Sequence, residues 1–174
     1  MRVAFRRLVI ICALCAAPGA LLAQWRVSVE AKWSTVTAVV RERADSVAPE
    51  EDATSFVIRC SERQLEAFIT TRDLLESDMA ADVRVRIESD SARPRDARWQ
   101  ATKANTGAFV PAAEMRELIQ RRMLRTRTLR ITIGTQRRGR VTYNFPVADV
   151  RPALDALRTA CPNDRSGALA DSPQ

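Results

Sequence analysis

Residues 83–87 read Val-Arg-Val-Arg-Ile. This strict alternation puts Val83, Val85 and Ile87 on one side of a strand and Arg84 and Arg86 on the other. A strand with one face in a core and one in water needs that pattern. The same period recurs along the chain. Phe56, Ile58 and Cys60 share one face of 54–60, and Leu65, Ala67 and Ile69 alternate with Glu66, Phe68 and Thr70. The link 61–64 has hairpin length, so 54–71 is expected to form a β-hairpin. Leu129, Ile131 and Ile133 alternate, 134–139 (GTQRRG) is a turn, and Val141, Tyr143 and Phe145 return. Residues 35–40 are β-branched and read as a strand. Trp25, Val27 and Val29 mark a weaker alternation before it. Two short strands, 99–102 and 108–110, flank the turn signal Asn105-Thr106-Gly107. Residues 41–52 read as a charged loop, 72–80 as a helical turn or loop, and 89–97 as turn-rich.

Two stretches carry the helical period instead. Pro111 opens one, with Met115, Leu118, Ile119 and Met123 as its apolar stripe and Arg116, Glu117 and Gln120 outside. The other spans 150–160, with Asp149 as N-cap. Val150, Ala153, Leu154, Leu157 and Cys161 form its stripe. The expected fold class is α+β: an antiparallel β-sandwich or half-barrel meander with two short helices, one closing the C-terminus. Trp25, Trp33 and Trp99 are read as core anchors rather than as the lining of a ligand groove.

The first 23 residues have the parts of a secretory signal peptide: Arg2, Arg6 and Arg7, an apolar run over 8–17, the helix breaker Pro18-Gly19, and Ala-Leu-Leu-Ala before Gln24. Leu21 is large for its place three residues before the cut, which leaves the cleavage point open. A spanning helix needs about 20 apolar residues; residues 9–23 fall short and are broken. Cys12 and Cys15 follow the bulky Ile11 and Leu14, a poor context for lipid attachment. The expected organisation is a signal peptide at 1–23, a single exported domain at 24–161 and a disordered tail at 162–174. No transmembrane segment is expected after cleavage. Loss of three Arg lowers the formal net charge from +7 to +4.

Cleavage also leaves two cysteines, Cys60 and Cys161. An even pair in an oxidising compartment is expected to form a disulfide, with two buried free thiols as the alternative. Each cysteine ends an apolar face, one on a strand and one on the last helix, so both thiols aim inward. A zinc site is not expected from two Cys at this spacing without His.

The order of features resembles a known family. An early Trp after a signal peptide precedes a strand ending Arg59-Cys60. A hairpin, an Arg-bearing strand, Trp99 and the segment 107–109 (Gly-Ala-Phe) follow. An amphipathic helix, a strand, a return of Tyr-Asn-Phe type (143–145) and a short helix ending Ala160-Cys161 complete it. Over residues 25–161 this is similar to the VasI/TagO group of type VI secretion-associated periplasmic proteins and their uncharacterised secreted relatives. The resemblance implies an exported, disulfide-bonded α+β domain, accessory to a secretion or other envelope assembly. The Arg-rich composition and the long charged loop at 41–52 depart from it.

The chain contains no His, which excludes a Ser-His-Asp triad and a Cys-His dyad. Ser-Lys chemistry would rest on Lys32 or Lys103, and neither lies in a motif. Asp73 and Glu76 read as a solvated turn rather than a paired-carboxylate site. Asp45, Glu50, Glu51 and Asp52 match no calcium-loop spacing. Five Gly in the whole chain leave little room for a phosphate loop. No catalytic residue, metal or cofactor is expected. The one local oddity is basic: Arg121, Arg122, Arg125, Arg127, Arg130, Arg137, Arg138 and Arg140 lie within 121–140, and no acid occurs between Glu117 and Asp149. This run is a candidate patch for an anionic surface or an acidic partner protein. Against that stands a general bias, 26 Arg to 2 Lys. Nucleic acid is not an expected partner, because no aromatic platform interleaves the Arg. The expected function is non-enzymatic contact with a secretion-system or envelope protein. The alternatives are binding of an anionic polymer or lipid through the patch, and a His-free carboxylate hydrolase.

Overall fold

The structure is a computed structural model, and it describes residues 25–30, 35–41, 54–61, 63–162, 164 and 167–169. The signal segment 1–23, Trp33, Lys32 and the loop 42–52 lie outside the described residues. The alternating segments form nine strands: β1 (Arg26–Glu30), β2 (Thr35–Arg41), β3 (Ser55–Ser61), β4 (Gln64–Thr70), β5 (Asp82–Ser89), β6 (Ala92–Ala101), β7 (Gly107–Phe109), β8 (Thr128–Thr135) and β9 (Gly139–Pro146). They make one open sheet in the order β1-β2-β3-β4-β7-β6-β5-β8-β9. Every pairing in it is antiparallel. The fold is the expected α+β type, mostly strand with two helical elements.

One face of this sheet is apolar, and the sheet curls to bury it. Phe56 of β3 meets Phe145 of β9 with ring centroids 5.8 Å apart, although those strands stand six places apart in the sheet. Trp99, Tyr143, Ile58, Ile69 and Ile87 fill the same interior. Trp99 is fully buried and Trp25 packs against the core at its margin, as core anchors should.

Turn chemistry sets the registers. Arg63 sits in the left-handed region at φ 65° in the tight β3–β4 link, where Ser61 pairs with Gln64. The β8–β9 hairpin turns through three residues, 136–138, and Gly139 takes φ 66°. A three-residue loop closed by a left-handed glycine suits the twist of an antiparallel ribbon.

One segment differs from the reading by composition. Residues 92–98 are strand, not turn: β5 turns through Asp90-Ser91 and pairs with β6 from Ser89↔Ala92 to Asp82↔Gln100. Pro94 is tolerated because the register shifts there and a bulge needs no ladder N–H from it. Residues 72–80, read as a helical turn or loop, take the loop alternative, with two strand-like bridges. Leu75 is buried and bridges Thr135, and Ser77 bridges Val83. This short extended piece wedges between β5 and β8 where they part.

β7 meets β6 only at Gln100 and Ala101, so the rest of β6 has an open edge inside the sheet. The first helix covers it. α1 (Ala112–Arg116) runs on as a π-helical stretch, Glu117–Arg122, and a 3-10 turn, Met123–Arg125. Met115, Leu118, Ile119 and Met123 are buried, as the stripe required.

α2 (Val150–Ala160) packs on β1, β2 and β3. Asp149 holds the N-cap position without a side-chain capping bond. Just beyond α2, Cys161 bonds Cys60, and both are buried. The segment expected to be a disordered tail is docked in part. Ala168 and Leu169 are buried, with Gln120 Nε2 donating to the Ala168 carbonyl at 2.6 Å and Arg158 Nε to the Leu169 carbonyl at 2.7 Å. The packed domain therefore reaches at least Leu169, not 161; residues 170–174 lie outside the described residues.

The disulfide closes a loop with a sequence separation of 101. Constraining so long an unfolded loop is worth up to about 4–5 kcal/mol. Reduction, or the Cys60→Ser, Cys161→Ser pair, is expected to lower unfolding stability by about 2–5 kcal/mol, read from urea unfolding, with a steeper slope because the unlinked chain unfolds to a more expanded state.

Candidate functional site

The eight arginines of 121–140 do not form one patch. β8 spans 8 residues and separates them by roughly 25 Å at about 3.3 Å per residue. Arg121, Arg125 and Arg127 are exposed before its start; Arg137, Arg138 and Arg140 lie past or near its end. Arg130 is between them on the sheet's outer face, opposite the buried Leu129 and Ile131 as expected.

Three of the eight are committed to carboxylates. Arg122 is only 4% exposed. Its Nε donates to Glu117 Oε1 at 2.8 Å and its Nη1 to the Ile87 carbonyl at 3.4 Å. Arg122 is thus no surface residue, and its helical position says why: it lies four after Leu118 and three after Ile119, on the apolar stripe itself. Arg130 pairs with Glu88 and Asp90 at 3.5 and 3.6 Å. Arg138 pairs with Asp73 and also donates to the Tyr143 hydroxyl at 3.2 Å. Asp73 is therefore a structural anchor for the β8–β9 turn, not part of a free solvated pair with Glu76.

The outer face is otherwise a lattice of such pairs. Arg59 lies opposite Glu66 across β3–β4 at 2.6 Å and over the Phe68 ring. Arg86 pairs with Glu88 and Asp96, and Arg98 with Asp78. Hydrogen bonding from Arg86 holds the Glu88 carboxyl below its ordinary value. The backbone N–H of Asp82, at 2.9 Å, does the same for Asp78.

Within this lattice two clefts of about 460 and 590 Å³ open side by side. Both are lined by Arg84 and Arg140. No carboxylate among the described residues lies within ion-pair reach of either. The first cleft is also lined by Glu76, Asp78, Asp82 and Gly134. At its floor a Cβ on Gly134 would come within 2.6 Å of Glu76 Oε2, the far end of a flexible side chain. The wedge at 75–77 carries Glu76 over that glycine, with Glu76 N donating to the Gly134 carbonyl at 2.9 Å. The second cleft runs across β5 and β6 to Glu114. Two guanidinium groups without a close ion pair, at the junction of two clefts, can hold an anionic group by charge-assisted hydrogen bonds; Asp78 feels Arg84 at longer range.

The sequence pointed to Arg140 but not to Arg84, 56 positions away. The alternation at 83–87 showed Arg84 facing water; only the pairing of β5 with β8, and of β8 with β9, brings the two to one place. Among the described residues no group of three or more His, Cys, Asp or Glu could hold a metal ion, and no described helix is long and apolar enough to cross a membrane.

No family model matches the chain, no curated protein matches it, and no solved structure does.

Arg122→Ala removes a buried cation from Glu117 and from the Ile87 carbonyl, and is expected to cost about 2–4 kcal/mol. Arg137→Ala, at the exposed turn, should change stability by less than about 0.5 kcal/mol. Urea unfolding of both variants reads the contrast. Acid should also weaken the fold. Folding lowers the pKa of Glu88 and Asp78 from ordinary values of 4.5 and 3.8, so their contribution is full above those values and is lost as pH falls through the lowered ones. The thermal midpoint is expected to fall below about pH 4.5, less steeply in Glu88→Gln with Asp78→Asn.

Proposed function

We propose that this chain is an exported, non-enzymatic domain that acts by contact with a protein or polymer of the cell envelope, as an accessory to a secretion or other envelope assembly. The observation that carries the first part is the Cys60–Cys161 bond, buried between the sheet and the last helix. Such a bond persists in an oxidising compartment, and the signal-like residues 1–23 give the route there. The contact face is the outer side of β5, β8 and β9. Arg84 and Arg140 make no close ion pair there among the described residues, Arg84 acting on Asp78 only at longer range, while their neighbours are neutralised in pairs, so an acidic group of the partner completes the lattice. The anionic-surface reading survives in this narrower form, resting on two residues from different strands rather than on the run 121–140.

Two measurements test it. Intact mass of the chain recovered from the envelope fraction, alkylated under denaturing conditions, should match residues 24–174 less two hydrogens with no alkylation. A full-length mass with alkylatable thiols would rule out export. In the second, the immobilised chain is offered solubilised envelope proteins. Retention should weaken with salt and be lost in Arg84→Glu with Arg140→Glu, while Arg158→Glu, which lies on α2, retains it. Equal retention by both variants would remove the assigned face.

A further inference from the structure

β1 ends the sheet, and its outer edge carries no partner strand among the described residues. Such an edge is a template for another chain unless Pro, Lys, a bulge or a covering element blunts it. The strand reads Arg-Val-Ser-Val-Glu, with no Pro or Lys, and its register with β2 is unbroken. Val27 and Val29 are 43% and 70% exposed, two of the four large apolar side chains left in water among the described residues. Their positions oppose Ala38 and Val36, on the same side of β2 as the buried Val40. They continue the inner, apolar face of the sheet at its β1 margin and stay exposed there.

The five residues are complementary to themselves. An antiparallel pairing of two β1 strands centred on Ser28 sets Arg26 opposite Glu30 and Val27 opposite Val29, each twice, with Ser28 opposite Ser28. The paired positions 26, 28 and 30 alternate along the strand with the two valine positions. Opposite charges and β-branched pairs are the favourable cross-strand neighbours, and like charges the unfavourable ones. Sliding the register by two residues destroys both charge pairs.

We infer that a second copy of this chain is the partner of β1: two sheets join edge to edge about a two-fold axis through Ser28, making one continuous sheet across the dimer. The interface is isologous, as a two-fold requires. It lies at the far end of the sheet from Arg84 and Arg140, and it stands whether or not the proposed envelope contact is correct.

Cross-linking and charge reversal test it in the full purified chain. Directly opposed Cα atoms in an antiparallel pair lie about 4.5–5.5 Å apart, within disulfide range. Ser28→Cys is therefore expected to give a disulfide-linked dimer on mild oxidation, and Val27→Cys, which would face Val29, a much lower yield. Arg26→Glu should raise the dimer dissociation constant at least about tenfold in sedimentation, since it sets like charges opposite each other twice. Arg26→Glu with Glu30→Arg should restore it to within about threefold. A chain that stays monomeric throughout, a Ser28→Cys variant that does not cross-link, equal yields from both cysteine variants, or a double variant no better than Arg26→Glu would each overturn the inference. Retention of the Cys60–Cys161 bond, read by mass, confirms that each variant has folded.

Discussion

A nine-stranded sheet with a single apolar face buries that face, among the described residues, chiefly against itself and two short helices. Everything else in the molecule follows from how it does so. The sheet bends until Phe56 and Phe145 meet, and the space between is filled by Trp99, Tyr143 and the branched side chains of β4, β5 and β8. Bending by itself leaves β1, β2 and β3 splayed at one end. α2 fills that gap, and its apolar stripe continues into Cys161, so the covalent bond to Cys60 sits where the last packing element meets the sheet. Pairing between distant parts of the chain closes slowly and is entropically costly. A link that joins position 60 to 161 ties two such distant parts together across a sequence separation of 101.

The composition bias toward arginine acquires a structural meaning on the outer face. A guanidinium can satisfy two acceptors at once in fixed geometry, which an ammonium cannot. Arg86 spans Glu88 and Asp96, and Arg130 spans Glu88 and Asp90. Individually such exposed pairs contribute little. Shared carboxylates make them a net laid across β5, β6 and β8 that matches neighbouring strands to one register. In that setting an arginine without a close ion pair carries information, which in the bare sequence it does not.

How much of this was legible follows from which residues obey a local rule. The strands with clean alternation, 54–60, 65–70, 83–87 and 129–133, could be read directly, because the pleat imposes a period of two on whatever covers a core. The inward aim of both cysteines followed from the same faces. Residues 92–98 could not, since Arg93, Pro94, Arg95 and Asp96 carry no apolar face; what makes them strand is their partner β5, a tertiary cause. The wedge at 75–77 was hidden for the same reason. Arg122 was legible and misassigned: counting arginines put it in a patch, while the spacing of Leu118 and Ile119 put it inside. The pairing of Arg84 with Arg140 lay beyond sequence reasoning, because it depends on the order of strands in the sheet.

The inner edge of β6 shows the same ionic chemistry reaching the covering helix. Ile87 pairs with Arg95, so Arg95 sits in register with an inward-facing residue and would point a charge toward the core. It reaches instead to Glu114 at 3.1 Å and Glu117 at 3.3 Å on the covering helix, and Glu117 in turn holds the buried Arg122. Arg95 is partly exposed, so its own pairs contribute little; it is the buried Arg122 that would be costly to leave without Glu117. The π-helical turn at Glu117–Arg122 brings Glu117 and Arg122 together across five positions, a closure that this wider winding permits. The open stretch of β6 is in this way sealed by a helix that pairs with its own inward-pointing arginine. β1, with no such cover among the described residues, is left as the edge at which the sheet can continue.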